Sequence, residues 1–236
     1  MDDGIILHSE DSAKWISMVI PEGVVGMEIK DGDAVVTSLF PEEQQALGYA
    51  AETRRREFIS GRTCAHATLR ALGVTPVPVL RGSQREPIWP SGVVGSITHC
   101  HGYCAAVAAS TLQYAAIGID AEVHDRLPVE AISDVLLDKE KAWVQSRCEE
   151  DTHWDRMIFS AKESTYKAWF ALTHLWLGFE DVTVTVRPEG RVFRSRLIRP
   201  ALILRHNPIA ELQGRYAFAG GLILTAAWVR YGSQSA

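Results

Sequence analysis

The spacing of hydrophobic residues predicts one long helix and several strands in the first part of the chain. From about residue 51 to 72, Phe58, Ala65, Leu69 and Leu72 recur at helical spacing and form one apolar stripe. Gly73 and two prolines shortly after it end this helix. Short apolar runs predict strands at residues 34–40, 93–99 and 103–109, and a Pro-Glu-Glu sequence at 41–43 favours the start of a short helix.

A similar series follows a change of pattern near residues 110–113. The apolar run that begins at Tyr114 predicts a strand, and strongly apolar residues predict a long helix from about 152 to 172. Shorter helices are predicted at 129–137 and 139–148, and strands at 182–186, 191–198 and within 215–229. Because strands and helices occur once before and once after residue 113, the sequence predicts an α+β fold with two similar halves, residues 1–113 and 114–236.

Two acidic residues lie at the end of the strand that begins at Tyr114. Asp120 and Glu122 are two residues apart, so they point to the same face of a strand, with Ile119 and Ala121 on the other face. Two like charges this close repel each other unless a cation shares them. The pair therefore has two interpretations: solvated acids at an exposed strand end, or part of a cation site.

The predicted helix at 152–172 carries three charges among bulky apolar residues. Between residues 157 and 170 these charges are Lys162, Glu163 and Lys167. A Glu-Lys pair four residues apart stabilises an exposed helix by about 0.2–0.5 kcal/mol. A helix that is apolar nearly all round is largely buried, however, and buried charges need further partners. The pattern favours a metal and phosphate site, with the carboxylate toward the metal and both lysines toward phosphate oxygens.

Arginines cluster on the first long helix, where Arg54 and Arg62 each lie four residues from Phe58. Such arginines can extend to water while their stems pack on apolar neighbours. Two guanidinium groups that converge also form a phosphate pocket, since their planar donors match phosphate oxygens. Both interpretations fit this helix. The strand at 93–99 ends at His99, a position where a histidine is more often structural than functional.

Composition narrows the class of protein. The chain has 236 residues, 47% hydrophobic residues and a formal net charge of −5, which is typical of a globular protein and argues against general nucleic-acid binding. Neither a signal peptide nor an apolar run of about 18 residues is present, so no membrane span is expected. The four cysteines show no disulfide or zinc spacing, which favours reduced thiols and a cytoplasmic location.

Four short motifs resemble those of the 4′-phosphopantetheinyl transferases. They are an arginine-bearing helix that ends in Gly61-Arg62, a Pro-Ile-Trp-Pro segment at 87–90 followed by Gly-Ser-Ile-Thr-His at 95–99, Gly-Ile-Asp-Ala-Glu at 118–122, and Phe-Ser-Ala-Lys-Glu-Ser-Thr-Tyr-Lys at 159–167. The four motifs occur in the same order as in the family, and together they span roughly half of the chain. Phe159 replaces a common tryptophan and Ser164 a frequent alanine, and neither change alters the charges.

The resemblance implies a role for each matching residue. Asp120, Glu122 and Glu163 would hold Mg²⁺, for which Mn²⁺ is an alternative, and Glu163 would accept the proton of the attacking serine. Lys162 and Lys167 would neutralise the negative charge of the pyrophosphate of coenzyme A. Lys167 would also be a catalytic residue. The 3′-phosphate and the nucleotide end of coenzyme A would be bound by the remaining set: Arg54, Arg62, Arg81, Arg85, Thr98 and His99.

The length of the chain is similar to that of the Sfp/EntD-type subgroup, whose members are pseudo-dimeric monomers with coenzyme A in a cleft between two halves related by a pseudo-twofold axis. The smaller trimeric type, about half as long, is excluded by size. The implied reaction transfers 4′-phosphopantetheine to a serine of an apo acyl or peptidyl carrier protein and releases 3′,5′-ADP. The implied partners belong to fatty-acid, polyketide or nonribosomal peptide synthases, including those of siderophore biosynthesis.

Other interpretations of the same residues are another Mg²⁺-dependent phosphoryl or nucleotidyl transferase, or an inactive module that binds carrier proteins. The first would be expected to show a phosphate loop or a Gly-Ser element that opens a helix, and this sequence has neither. The second would not need to keep Asp120, Glu122, Glu163 and Lys167. The candidate carrier-binding surface is the region 171–179, in which Leu175, Trp176 and Leu177 either form this surface or complete the core.

Overall fold

The computed structural model describes residues 6–7, 14–31, 33–35, 39–149, 151–198, 202–204 and 207–231. The α-helices are α1 (Pro41–Leu47), α2 (Glu52–Ala71), α3 (Val129–Val135), α4 (Asp138–Gln145) and α5 (Trp154–Thr173). The strands are β1 (Ile6–Leu7), β2 (Val25–Lys30), β3 (Ala34–Val35), β4 (Val93–Cys100), β5 (Tyr103–Ser110), β6 (Tyr114–Val123), β7 (Val182–Arg187), β8 (Val192–Leu197), β9 (Leu202–Leu204), β10 (Asn207–Ile209), β11 (Glu211–Ala219) and β12 (Leu222–Arg230).

The first half of the fold is a three-stranded antiparallel sheet of order β2-β5-β4, covered on one face by α2. The central strand β5 is buried along almost its whole length, and four of its eight residues are alanines. Small side chains on both faces of β5 let α2 and the second half approach it closely. The stripe predicted on α2 is confirmed at three positions, where Phe58 is 4% exposed and Ala65 and Leu69 are fully buried. Its fourth member, Leu72, follows the last residue of the helix and is half-buried against the same core.

The second half is a five-stranded antiparallel sheet of order β6-β12-β11-β8-β7. Helix α5 packs across it, and its residues Trp154, Met157 and Ile158 join Phe193 and Tyr216 of the sheet in one apolar core. The edge strand β7 alternates buried and more exposed residues, as its valine and threonine pattern predicts. The α+β fold class with two sheet-and-helix halves is thus confirmed.

The halves meet where β4 lies against β6. These strands belong to different sheets, yet Ser96 Oγ accepts a hydrogen bond from Ile119 N and Thr98 Oγ1 accepts one from Ala121 N, both at 3.1 Å. Side-chain hydroxyls therefore take the place of the carbonyl groups that a sheet partner would offer. Apolar residues of β5, β6 and β12 fill the space around this junction.

Most predicted elements agree with the structure to within a few residues. The predicted strand at 34–40 is shorter, because only Ala34–Val35 is extended and paired, while Leu39 and Phe40 are irregular. Residues 36–38 of that prediction lie outside the described residues. Among the described helices, none combines the length and the apolar character that crossing a membrane requires.

Candidate active site

A pocket of about 110 Å³ opens between α2, β4 and the loop after residue 80. The four arginines predicted at the nucleotide end of coenzyme A all line it, together with the predicted histidine. The remaining lining residues are one glutamate, three apolar residues and one glycine. The full set is Arg54, Glu57, Phe58, Gly61, Arg62, Arg81, Arg85, Pro87, Ile97 and His99.

The Phe58 ring organises two of these arginines. The guanidinium carbon of Arg62 lies 4.5 Å from the ring centroid and that of Arg81 lies 4.4 Å from it. Within the described part of the chain, Arg62 Nε and Arg81 Nη2 are buried and have no hydrogen-bond partner. Buried donors without acceptors are costly in a folded protein, so their presence at a pocket wall indicates a site for an anion.

Glu57 is an acid inside this basic pocket, and its role was not predicted. Its Oε2 lies 3.1 Å from Arg54 Nη1 and 3.8 Å from His99 Nε2. Burial lowers the pKa of His99 below its ordinary value, Glu57 opposes this shift, and Arg54 adds to it. An anion that enters the pocket must therefore compete with Glu57 for Arg54.

The second cluster is centred on Asp120 of β6, which is 5% exposed. Its Oδ1 accepts a hydrogen bond from Lys167 Nζ at 2.7 Å, and its Oδ2 accepts one from Ser160 Oγ at 2.8 Å. The close contact between β6 and α5 depends on Gly118, because a Cβ at this position would lie 2.0 Å from the carbonyl oxygen of Ser164. The glycine of the Gly-Ile-Asp-Ala-Glu motif therefore allows Lys167 to reach Asp120.

Glu122 and Glu163 complete the predicted carboxylate set. Burial raises the pKa of Glu122, and the charge of Asp120 raises it further, although Arg156 opposes the shift with its Nη1 3.1 Å from Glu122 Oε2. Burial and Asp120 also raise the pKa of Glu163, which Lys167 opposes. Asp120 thus repels both glutamates, and this mutual repulsion is what a shared cation would relieve.

The donor chemistry of this set fits Mg²⁺, which prefers oxygen ligands from carboxylates and phosphate. Within the described ranges, however, no three Asp, Glu, His or Cys side chains lie close enough together to hold a metal ion. Lys167 and Arg156 instead pair with two of the carboxylates. Metal binding would therefore replace these cations and draw the carboxylates together.

The structure does not bring Lys162, expected to contact the pyrophosphate, together with the carboxylates. Its ammonium is buried on another side of α5, where it pairs with Glu140 at 2.8 Å and donates to the carbonyl oxygens of Val135 and Phe179. All of its donors are thus directed into the second half. One residue along a helix is a rotation of about 100°, so Lys162 and Glu163 cannot face the same side.

The structure also places the Thr98 side chain apart from the other residues that were expected at the 3′-phosphate. Its side chain is 3% exposed and its hydroxyl bonds to Ala121 N, so it supports β6 and does not reach the arginine pocket. The alternation of side chains along a strand explains this, because neighbouring Thr98 and His99 must point to opposite faces of β4. That signal was present in the sequence.

Arg156 and Ser160, which contact the carboxylates, were not predicted. A sequence signal does exist for them, because Arg156, Ser160, Glu163 and Lys167 lie three or four residues apart and share one face of a helix.

The candidate surface at 175–177 divides into two parts. Leu175 and Trp176 are 60% and 77% exposed, whereas Leu177 is 7% exposed and belongs to the core.

Comparison with known proteins finds two family models that match this chain. Residues 42–109 match the family model of the 4′-phosphopantetheinyl transferase N-terminal domain, and residues 116–219 match that of the 4′-phosphopantetheinyl transferase superfamily. The 4′-phosphopantetheinyl transferase PptT of Mycobacterium tuberculosis is 43% identical over 190 residues, which cover 79% of this chain and 84% of the relative.

Two further relatives extend the match. The 4′-phosphopantetheinyl transferase Npt of Nocardia iowensis is 39% identical over 219 residues, which cover 89% of this chain and 98% of the relative. Enterobactin synthase component D of Salmonella typhimurium is 34% identical over 138 residues, which cover 58% of this chain and 56% of the relative. The chain therefore belongs to the 4′-phosphopantetheinyl transferase family, whose enzymes transfer phosphopantetheine from coenzyme A to carrier proteins.

Proposed function

We propose that coenzyme A binds across the junction of the two halves, taken as residues 1–113 and 114–236. Its 3′-phosphate enters the arginine pocket of the first half, and its pyrophosphate lies beside the carboxylates of the second. The observation that carries this proposal is the pair of buried donors on Arg62 and Arg81 that have no hydrogen-bond partner among the described residues. A phosphate would accept hydrogen bonds from both groups and would offset the charge of the converging guanidinium groups.

The metal would be Mg²⁺ or Mn²⁺, held by Asp120, Glu122 and Glu163. When bound, it would neutralise charge on the pyrophosphate and on the leaving 3′,5′-ADP. Lys167 pairs with Asp120 at 2.7 Å, and its side chain is 28% exposed. Its ammonium supplies positive charge at this position and is proposed to stabilise the pyrophosphate during transfer.

Glu163 is the proposed general base. Its carboxylate is more basic than an ordinary glutamate because burial and Asp120 raise its pKa, and this increases its capacity to accept a proton. It accepts the proton of the carrier serine hydroxyl, directly or through a water molecule. The serine oxygen then forms a bond to the β-phosphorus, the bond from this phosphorus to the bridging oxygen breaks, and 3′,5′-ADP leaves with that electron pair.

The carrier protein is proposed to dock at the exposed residues Leu175 and Trp176. The Trp176 ring lies 5.1 Å from the ring of Tyr166, which is on the same helix as Glu163, so this surface adjoins the proposed base. Trp176→Ala should raise the KM for the carrier protein. A rise in the KM for coenzyme A alone would instead assign this surface to the pantetheine arm.

We also propose that the enzyme is a monomer, since one chain supplies both the arginine pocket and the carboxylates. A cytoplasmic location is proposed because its four cysteines are free thiols. The proposed partners are apo carrier domains of fatty-acid, polyketide or nonribosomal peptide synthases. Similarity to enterobactin synthase component D makes carriers of siderophore synthesis one class to test.

The test is to incubate the protein with coenzyme A, Mg²⁺ and several apo carrier proteins, and to weigh the carriers by mass spectrometry. Addition of one phosphopantetheine mass is expected, and its loss in Glu163→Gln and its reduction in Arg62→Gln are expected too. Arg56→Gln is a matched control, because Arg56 lies on α2 in an exposed pair with Glu52 and outside the pocket. Undiminished activity of Glu163→Gln would contradict the assignment of the base.

A further inference from the structure

Glu43, in the first turn of α1, is a fully buried carboxylate behind the arginine pocket. Its Oε1 accepts a hydrogen bond from Val79 N at 2.8 Å and lies 2.9 Å from His66 Nε2, while its Oε2 accepts one from Phe40 N at 3.0 Å. The same Oε1 lies 4.0 Å from Arg62 Nε. Three separate segments therefore fix this carboxylate next to a pocket arginine.

Arg62 needs a compensating charge because it is only 5% exposed. Burial lowers the pKa of Arg62 to about 10, the positive charges of Arg81 and Arg54 lower it as well, and Glu43 opposes these effects. Burial alone would raise the pKa of Glu43, but hydrogen bonds from His66 and backbone amides bring it below its ordinary value. Glu43 therefore carries its negative charge at neutral pH.

The distance between the two groups has a functional consequence. A carboxylate in direct hydrogen-bond contact with the guanidinium would occupy donors that a phosphate needs. At 4.0 Å, Glu43 offsets the charge of Arg62 while Arg62 Nε keeps no hydrogen-bond partner among the described residues. The arginine is thus held against Phe58 with donor capacity left for a ligand.

We propose that Glu43 is a positioning residue for coenzyme A, which holds the Arg62 guanidinium in the orientation that receives the 3′-phosphate. This inference rests on the proposed function of the arginine pocket. Glu43 does not contact the substrate and acts through Arg62. It should therefore contribute to the recognition of the 3′-phosphate and have little effect on substrates that lack this group.

The experiment compares coenzyme A with 3′-dephospho-coenzyme A as substrates of Glu43→Gln and of the unchanged enzyme. Glutamine has the size of glutamate but removes the charge. The KM for coenzyme A should rise about tenfold, while the KM for 3′-dephospho-coenzyme A should change little. The ratio of the two kcat/KM values should therefore fall about tenfold. An unchanged ratio would overturn the proposal.

The matched control is Glu28→Gln. Glu28 is 1% exposed, lies in the same half and accepts hydrogen bonds from Trp15 N, Ile16 N and the Tyr103 hydroxyl, but it does not line the pocket. This variant should lose thermal stability without losing the preference for coenzyme A. An equal loss of preference in both variants would show that Glu43 acts only through stability.

Two more variants separate this inference from the assignment of the pocket. If Arg62→Gln lowers the kcat/KM ratio and Glu43→Gln does not, the pocket assignment stands and the role of Glu43 is refuted. If neither Arg62→Gln nor Arg54→Gln lowers the ratio, the pocket assignment itself fails. Glu43→Asp keeps the negative charge and replaces Glu43→Gln in the same measurement if Glu43→Gln does not fold. Its shorter side chain should give a smaller fall in the ratio, and no fall would count against the proposal.

Discussion

Replacing Lys162 with methionine tests whether this lysine stabilises the second half or binds substrate. Lys162 and Glu140 form a salt bridge at 2.8 Å, and their side chains are 1% and 2% exposed. Methionine fills most of the same space but removes the charge and the donors to Val135 and Phe179. Removing one partner of a buried pair costs about 3–5 kcal/mol, because the other charge stays buried without compensation.

This loss should be visible in thermal unfolding followed by circular dichroism. For a chain of this length, 1 kcal/mol shifts Tm by about 2–4 °C, so Lys162→Met should lower Tm by about 6–20 °C. Lys141→Met is the control, since Lys141 neighbours Glu140 on α4 but pairs at 3.5 Å with the fully exposed Asp138. Exposed pairs contribute at most about 1 kcal/mol, so the control should shift Tm by only a few degrees.

A double-mutant cycle with Glu140→Gln isolates the pair itself. Glu140 also accepts hydrogen bonds from Leu137 N and Val184 N, and glutamine can keep one of them. The double variant should be less destabilised than the sum of the single variants, because neither leaves an unpaired charge. The structural role of Lys162 would be refuted if Lys162→Met lowered the free energy of unfolding by less than about 1 kcal/mol and raised the KM for coenzyme A. That result would instead favour a contact between Lys162 and the pyrophosphate.

Three further predictions concern the junction, the carboxylates and the pocket. Thr98→Val leaves Ala121 N without its acceptor and should lower the free energy of unfolding by about 1–3 kcal/mol in urea titrations. Thr98→Ser keeps the hydroxyl and should therefore retain most of the stability of the unchanged protein. Ser160→Ala removes the donor to Asp120 and should reduce Mg²⁺ affinity or activity about 10-fold to 100-fold, measured by titrating activity with Mg²⁺. The pKa of Glu43 is lowered from 4.5 in the folded state, so its contribution to stability is present above about pH 4.5 and is lost as pH falls through the lower folded value. Stability curves between about pH 5 and 3 should therefore be flatter for Glu43→Gln, and an unchanged slope would contradict the lowered pKa.

The sequence predicted the groups that act through local spacing. Asp120 and Glu122 share one strand, and the arginines of α2 border one stripe, so simple periodicity placed them correctly relative to their own elements. Lys162 was misplaced because α5 is apolar nearly all round, and its pattern does not show which side faces the cleft. The partner that decides the question, Glu140, lies on another helix.

The role of Glu43 could not be predicted for a related reason. In the sequence it is an acid in the first turn of a helix, where acids are common because they interact favourably with the helix dipole. Its contacts with His66, Val79 and Arg62 join residues that are 19 to 36 positions away along the chain. Only tertiary packing shows that this helix-capping acid is also the charge behind the pocket.

The junction between β4 and β6 explains why the two proposed sites stay in register. On β4, alternate side chains point in opposite directions, so His99 lines the arginine pocket while Thr98 bonds to β6 beside Asp120. A shift of β4 relative to β6 would break the hydrogen bonds of Thr98 and Ser96 and would leave two buried amides unsatisfied. The 3′-phosphate and the pyrophosphate of coenzyme A are attached to one ribose ring, so the few bonds between them limit their separation. A junction that resists sliding therefore keeps the pocket and the carboxylates at one spacing, and it allows both ends of the same substrate to be held at once.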